Sequence, residues 1–228
     1  MIADADRLEL SIQRAARRLE TMAAELAKIE TEGLTADDWL RIRARIGNLT
    51  ADFNDGISEV DRILDATGAQ SRILRYLQLR LGETVTKEEL SGVAGIFEWA
   101  RRVRELREDH GWAIHSAVTR DDLRMGEYVL VSDRPNENLA KNWALARQMK
   151  ALKTKGGTPS PKTRILEYLK AIYPRPADRE QLAYVAGSAR ESMRCIEDLC
   201  LDGWEIVDPP PSDEVNRGGK RLAALERG

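Results

Sequence analysis

An internal repeat constrains this chain of 228 residues more than any other feature. The segment SRILRYLQLRLGETVTKEELSGVAG (71–95) aligns without gaps to TRILEYLKAIYPRPADREQLAYVAG (163–187) at an offset of 92 residues, and ten of the 25 positions are identical. A match of this kind within one chain indicates two copies of one structural unit. Whatever fold the first copy adopts, we expect the second copy to adopt as well.

Each copy predicts three helices followed by two strands. The RILxYL stretch is an amphipathic first helix, and the second helix begins with a capping box, Thr86 with Glu89 in one copy and Asp178 with Gln181 in the other. Val-Ala-Gly ends that helix in a left-handed turn, and a third helix follows at once. A Gly-Trp pair then leads into two strands. This order predicts a winged helix.

The predicted fold class is mainly α with small β wings, and four segments are expected. They are a helical hairpin or dimerisation coiled coil over 1–68, a first winged helix over 69–134, a basic helical linker with a flexible hinge over 135–160, and a second winged helix over 161–228. The linker's tryptophan and leucines are expected to pack against a winged helix, and its GGTPSP run predicts the hinge.

The first segment carries apolar residues at heptad spacing. In its first helix these are Leu8, Ile12, Ala15, Leu19, Met22, Leu26 and Ile29. Thr35 with Asp38 predicts the N-cap of a second helix. The pattern leaves two structures open: an antiparallel hairpin within one chain, or a coiled coil that joins two chains into a homodimer through residues 8–64.

The charges are balanced overall but unevenly placed. The totals of 36 Lys and Arg against 38 Asp and Glu argue against an indiscriminate polyanion binder. Residues 1–66, however, carry fourteen acidic and nine basic residues, whereas residues 139–175 carry nine basic residues and the single acid Glu167. This layout favours a polyanionic partner for the middle of the chain.

The third helix of each copy supplies the candidate base contacts. Outward positions at helical spacing are Phe97, Glu98, Arg101 and Arg104 in the first copy and Arg190, Glu191 and Arg194 in the second. Both copies place a Glu three residues before an Arg. An Arg there is suited to bidentate pairing with guanine, and the Glu can accept from cytosine or orient the Arg. The alternative is an ordinary surface ion pair.

Other basic residues are candidate phosphate contacts. They are Arg120 and Arg124 in the first wing, Arg217, Lys220 and Arg221 in the second wing, and Lys150, Lys153 and Lys155 in the linker.

The sequence predicts no catalytic residues, no metal site and no cofactor. His110 and His115 have no third ligand at metal spacing and are expected at the surface. Cys195 and Cys200 lie on one predicted helix, with Cys200 on the packed side, and are interpreted as structural. We therefore expect a protein that is not an enzyme.

Three features of the sequence indicate the cellular compartment. Two cysteines five residues apart on one helix do not form a disulfide framework, no run of 18 apolar residues occurs, and the acidic start MIADADRLEL is unlike a signal peptide. These features predict a cytoplasmic protein with no membrane partner.

The stretch from 71 to 130 contains the run EWARRVRELR, then GW, then GEYVL. It resembles the helix-turn-helix region that accompanies HNH-type restriction endonucleases in bacteria. The resemblance implies a module that binds DNA beside a nuclease, with some members sensing modified bases. With two His and two Cys, this sequence has no HNH motif.

Taken together, the sequence predicts binding of double-stranded DNA by tandem winged helices, in restriction, phage defence or transcription regulation. The chain would act alone, as part of a longer enzyme with a fused catalytic domain, or beside a separate nuclease partner. The alternative is a winged-helix scaffold for protein partners, which the acidic first segment favours.

Overall fold

The computed structural model describes residues 2–30, 32–153, 157–210, 213 and 219–226, with side chains from residue 5 onward. The chain divides into two compact units, Met1–Ser71 and Arg72–Gly228. It is mainly helical with small antiparallel sheets, which confirms the predicted fold class. Among the described residues, no helix is long and apolar enough to cross a membrane.

The first unit is a pair of helices, α1 (Ile2–Ala27) and α2 (Ala36–Ile63). The predicted cap is confirmed, because Thr35 and Asp38 form a reciprocal capping box at the start of α2. Three ion pairs connect opposite ends of the helices: Arg7 with Glu59, Arg18 with Asp52, and Glu25 with Arg45. The helices are therefore antiparallel, as expected for a hairpin within one chain.

The first copy of the repeat opens the second unit. Its elements are α3 (Ala69–Leu79), β1 (Val85–Thr86), α4 (Lys87–Ala94), α5 (Trp99–Glu108), β2 (Ile114–Ser116) and β3 (Glu127–Leu130). The strands form an antiparallel sheet in the order β1-β3-β2. The core is made by buried apolar side chains from all three helices and the sheet, among them Ile73, Leu77, Leu90, Val103, Leu106 and Leu130.

The second copy contains α7 (Pro161–Ile172), α8 (Arg179–Ala186), α9 (Ala189–Leu201), β4 (Ile206–Val207) and β5 (Arg221–Leu222). An isolated bridge between Ala177 and Lys220 takes the place of β1, so β5 lies between that bridge and β4. Strands β4 and β5 have two residues each, whereas β2 and β3 of the first copy have three and four. The order of elements is thus the same in both copies.

Side-chain contacts at the second helix also recur 92 residues apart. The Tyr76 hydroxyl donates to Glu89 at 2.7 Å, and the Tyr168 hydroxyl donates to Gln181 at 2.9 Å. Both predicted capping boxes are present, at Thr86 and at Asp178. These contacts tie the first helix of each copy to the start of its second helix.

The linker forms a helix, α6 (Glu137–Ala151), that belongs to the core of the second copy. Leu139, Trp143 and Ala146 are buried there, and Trp143 is 1% exposed. The expected packing of the linker tryptophan is therefore confirmed. Residues 154–156, where the predicted hinge begins, lie outside the described residues.

The two copies also contact each other directly, through ion pairs that involve α5, α6 and the loop after β2.

Candidate nucleic-acid interface

The apolar side of α5 fixes this helix against its own copy. Val103 and Leu106 are buried, and the ring of Trp99 meets the ring of Tyr128 edge to face with centroids 5.7 Å apart. The turn before α5 passes through Gly95, whose φ of 65° lies in the left-handed region that a glycine adopts without strain. The opposite side of α5 is left facing solvent.

Three of the predicted contact residues extend from that open side. The side chains of Arg101 and Arg104 are 62% and 66% exposed, and Phe97 is fully exposed at the turn before the helix. A single exposed apolar side chain is common on a protein surface, so the exposure of Phe97 leaves it accessible but does not by itself indicate a ligand. In a major groove, such a ring is suited to contact with a thymine methyl group.

Acidic side chains flank Arg101 on both sides. Its guanidinium lies 3.6 Å from Glu98 and donates to Glu105 at 3.0 Å. Hydrogen bonds from Arg102 and then from Arg101 hold the pKa of Glu105 below its usual range, so this carboxylate stays ionised. The surface ion pair weighed as the alternative for Arg101 is therefore present, while most of the guanidinium remains accessible.

Helix α9 repeats this arrangement. Ser188 caps its start by accepting from the main-chain N–H of Glu191 at 3.1 Å, and the Glu191 carboxylate accepts from Arg194 at 3.0 Å. The Arg194 side chain is 68% exposed, and Arg190 is exposed beside it. Each third helix thus presents a Glu and Arg pair three residues apart at its N-terminal half.

Lys150 of the linker lies close to this surface. Its Nζ lies 6.0 Å from the centre of the Tyr184 ring, and a Cβ at Gly187 would be 3.3 Å from the same Nζ. Gly187 forms the turn into α9, which is the third helix of the second copy. Lys150 therefore lies close to the start of α9. Lys153 is exposed, and Lys155 lies outside the described residues.

The first wing differs from the expectation at one residue. The Arg120 side chain is only 16% exposed and binds Asp122, two residues on. The Asp122 carboxylate thus already binds the Arg120 guanidinium within the loop. Arg120 is therefore less accessible to a phosphate than an extended side chain would be. Arg124 is exposed, as expected.

In the second wing, Lys220 is paired with Asp208 at 2.6 Å, and Arg221 is half-buried in β5. Both residues lie where the chain pairs in the small sheet, Lys220 at the bridge to Ala177 and Arg221 in β5. Arg217 lies outside the described residues.

The cysteines and one histidine occupy different environments from those expected. Cys195 is buried and Cys200 is exposed, because the packed side of α9 runs through Ser192, Cys195 and Leu199. Burial raises the pKa of the Cys195 thiol, which makes it a poor nucleophile. His115 is buried rather than at the surface, and its Nδ1 lies 3.1 Å from the Thr119 hydroxyl. The described residues contain no group of three potential metal ligands.

Two arginines with structural roles were missed by sequence reasoning. Arg107 is buried although it lies on α5, and Arg179 binds the carboxylate of Asp121 in the first wing. A signal existed for Arg107, because it lies four residues after Val103 on the packed side of the helix. A charged residue on such a side predicts a buried ion pair.

Comparison with known proteins finds a match to the first copy of the repeat. A protein-family model described as the KpnI N-terminal domain matches residues 70–131. No curated protein and no solved structure matches the chain. The matched segment runs from α3 to the end of β3, so it covers the first copy of the repeat and is compatible with DNA binding related to restriction.

Proposed function

We propose that this chain binds double-stranded DNA through two tandem winged-helix units and supplies recognition rather than cleavage. The observation that carries the proposal is the match of residues 70–131 to the KpnI N-terminal domain. These residues begin and end where the first copy begins and ends, and the second copy has the same order of elements. The proposed role therefore applies to both copies.

The base contacts are assigned to the N-terminal halves of α5 and α9. Arg101 and Arg194 are exposed, and such guanidinium groups are suited to the O6 and N7 atoms of guanine. Arg194 donates to Glu191 at 3.0 Å, whereas Arg101 donates to Glu105 at 3.0 Å and lies 3.6 Å from Glu98. We assign Glu98 and Glu191 a role in orienting these arginines on DNA. Each helix would lie in a major groove, as the third helix of a winged helix does in general.

Phosphate contacts are assigned to exposed cations around these helices. The exposed candidates are Arg104, Arg124, Lys153 and Arg190, and the half-buried Lys150 is added because its Nζ lies beside Gly187 at the turn into α9. Neutralising about six phosphates gives a logarithmic salt slope of roughly −5, since each phosphate contributes about −0.9.

The second candidate function is a scaffold for protein partners. Glu98 and Glu105 neutralise much of the Arg101 charge, and this favours such a role over strong binding of a polyanion. The two functions differ in how binding depends on salt.

The test is fluorescence anisotropy of the full chain with a labelled duplex of random sequence, titrated between about 50 and 200 mM salt. Affinity that falls steeply with salt supports DNA binding. Undetectable binding at low salt, or binding independent of salt, overturns it. Selection from methylated and unmethylated genomic fragments then gives the target sequence and shows whether base modification is read. Cleavage, where recognition is coupled to it, is assigned to a nuclease partner or a fused catalytic domain.

A homodimer through residues 8–64 is a further part of the proposal. On α1 the heptad residues Ile12, Leu19 and Leu26 remain 52%, 49% and 46% exposed in the hairpin. On α2, Ile57 is 40% and Leu64 is 56% exposed. These five exposed apolar side chains, with Leu64 at the C-cap of α2, are called the apolar row below.

A second hairpin fits the apolar row because the first unit has too little core of its own. Among its described side chains, Ala15 is the one apolar residue that is buried. A unit of this size needs a larger core or an added constraint to be stable. Two copies that meet along the apolar row would form a four-helix bundle, in which an identical surface is contributed by each chain.

A further inference from the structure

A buried arginine on the recognition helix of the first copy forms its ion pair with the second copy. Arg107 lies in the last turn of α5, its side chain is 10% exposed, and its guanidinium contacts Glu180 in the first turn of α8. Asp178, which caps α8, is 5% exposed. Burial raises the pKa of Asp178, and the charge of Arg107 opposes that rise. A buried charge is costly unless a group of opposite charge lies beside it. Glu180 and Asp178 of the second copy are the acidic groups that stabilise the buried Arg107.

Two more sets of ion pairs surround this contact. Arg179 donates to both carboxylate oxygens of Asp121 in the first wing, at 2.6 and 3.3 Å. From α6, Arg147 lies 3.2 Å from Glu108 and 3.0 Å from Asp109 at the end of α5. The end of α5 and the wing of the first copy are therefore both held to the second copy.

The start of α6 also contacts the first copy, at the residue where α5 gives way to β2. The Asn136 N–H donates to the Gly111 carbonyl at 2.8 Å, and a Cβ at Gly111 would lie only 2.2 Å from the Asn136 carbonyl oxygen. Only glycine permits this close approach. From there α6 continues into the core of the second copy, where Trp143 is buried. Helix α6 is thus packed against the first copy at its start and within the core of the second copy further along.

From these contacts we infer that the Arg107–Glu180 ion pair fixes α5 relative to α8 and α9, so that the two copies read DNA as one rigid body. The ligand would be a duplex that carries two base-specific elements at a single separation. This inference rests on the proposed function. Arg107 and Glu180 are positioning residues, which touch no base and act through the direction they give to α5. Copies joined only by a flexible linker would instead accept a range of separations.

The first experiment uses the full chain and a pool of duplexes with random sequence. Binding selection is expected to enrich two elements at one separation. Lengthening the spacer by about 5 bp, roughly half a helical turn, should lower affinity about tenfold or more, which is part of the gain of about 10²–10⁴ that linked binding provides. Arg107→Met should bind the selected duplex with a similarly lowered affinity and should no longer respond to spacer length.

Two variants serve as controls. Lys141→Met removes a cation from α6 whose ion pair with Glu137 is exposed and local, so it should leave affinity and spacer dependence unchanged. The exchange Arg107→Glu with Glu180→Arg should recover spacer dependence in part, because it restores a charge pair between the copies. Selected elements that occur at many separations in the native chain would overturn the inference and leave DNA binding intact.

The second experiment measures the arrangement of the copies without DNA. Spin labels are attached to the exposed native Cys200 and to Met125→Cys, a 93% exposed position in the first wing. We expect a narrow distribution of distances in the native chain and a broad one after Arg107→Met. A broad distribution in the native chain would contradict the fixed arrangement, and a narrow one that does not change after Arg107→Met would overturn the role given to the Arg107–Glu180 ion pair. If selection enriches no duplex while the distribution is narrow, the proposed function fails and the rigid unit stands.

Discussion

The guanidinium of Arg164 donates to the main-chain oxygen of Val185 at 3.1 Å and to that of Ala186 at 3.2 Å, at the end of α8. Arg72 makes the same two contacts 92 residues earlier, at the end of α4. The last carbonyls of a helix have no partner within it. The arginine of the first helix thereby fixes where the second helix ends and where the turn into the third helix begins.

Replacing Arg164 with Met should lower the free energy of unfolding by about 2–4 kcal/mol, because two buried carbonyls lose a charged donor. Urea denaturation followed by circular dichroism measures the change. Arg134→Met, at an exposed loop position, is the matched control and should change stability by less than about 0.5 kcal/mol. A loss at Arg164 no larger than at Arg134 would show that the side chain does not hold the end of α8.

Local features of the fold could be predicted because each depends on neighbours in sequence. The caps at Thr35, Thr86 and Asp178 need one polar side chain and another residue three positions on, and all three are present. The glycines that end α4 and α8 have positive φ, as the repeated Val-Ala-Gly predicts. Exposure of Arg101 and Arg194 followed from helical spacing in the same way.

Contacts between the copies could not be predicted, because they join residues far apart in sequence. Arg107 and Glu180 are 73 residues apart, and neither belongs to a motif that names its partner. The ion pair between Arg120 and Asp122 in the first wing depends on the geometry of the loop, which the sequence does not give. The prediction that Cys200 lies on the packed side of its helix is wrong, because the packed side of α9 runs through Ser192, Cys195 and Leu199.

Glu89 should make the stability of the first copy depend on pH. Hydrogen bonds from the Thr86 main chain, then from Tyr76, lower the pKa of this carboxyl from 4.5 to about 2. Because the folded pKa is depressed, the stabilisation is complete above the unfolded value and is lost as pH falls from about 5 towards 2. Glu89→Gln keeps the acceptor, as Gln181 does in the second copy, and should flatten this dependence.

Denaturation curves at several pH values between about 2 and 7 measure this effect in the native chain and in Glu89→Gln. Glu83→Gln is the matched control, since its side chain is 61% exposed and lies outside the capping box. An equal decline with pH in all three proteins would assign the acid sensitivity to other carboxylates.

Double substitution of Arg101 and Arg194 by Ala should abolish site preference and leave weaker binding that still falls with salt. Each bidentate contact with guanine contributes about 1–3 kcal/mol of discrimination, whereas phosphate contacts do not depend on sequence. Competition between a selected duplex and a random one measures the preference directly.

The control for that experiment is the double substitution of Arg14 and Arg17 by Ala, which removes the same charge from exposed positions on α1. It should retain the preference. If both double variants lose the preference equally, the effect comes from net charge, and the assignment of base contacts to α5 and α9 is wrong.

Substituting Leu19 with Glu should convert a dimer into a monomer if two hairpins meet along the apolar row. Leu19 is 49% exposed in the centre of that row, and a charge there would be desolvated in a four-helix bundle. Light scattering coupled to size exclusion should give twice the chain mass for the native protein and the single mass for the variant. Ala24→Glu adds the same charge at an exposed position outside the row and should remain dimeric. A native protein that is monomeric at all accessible concentrations would contradict the dimer, whereas dissociation of both variants would place the contact elsewhere on the hairpin.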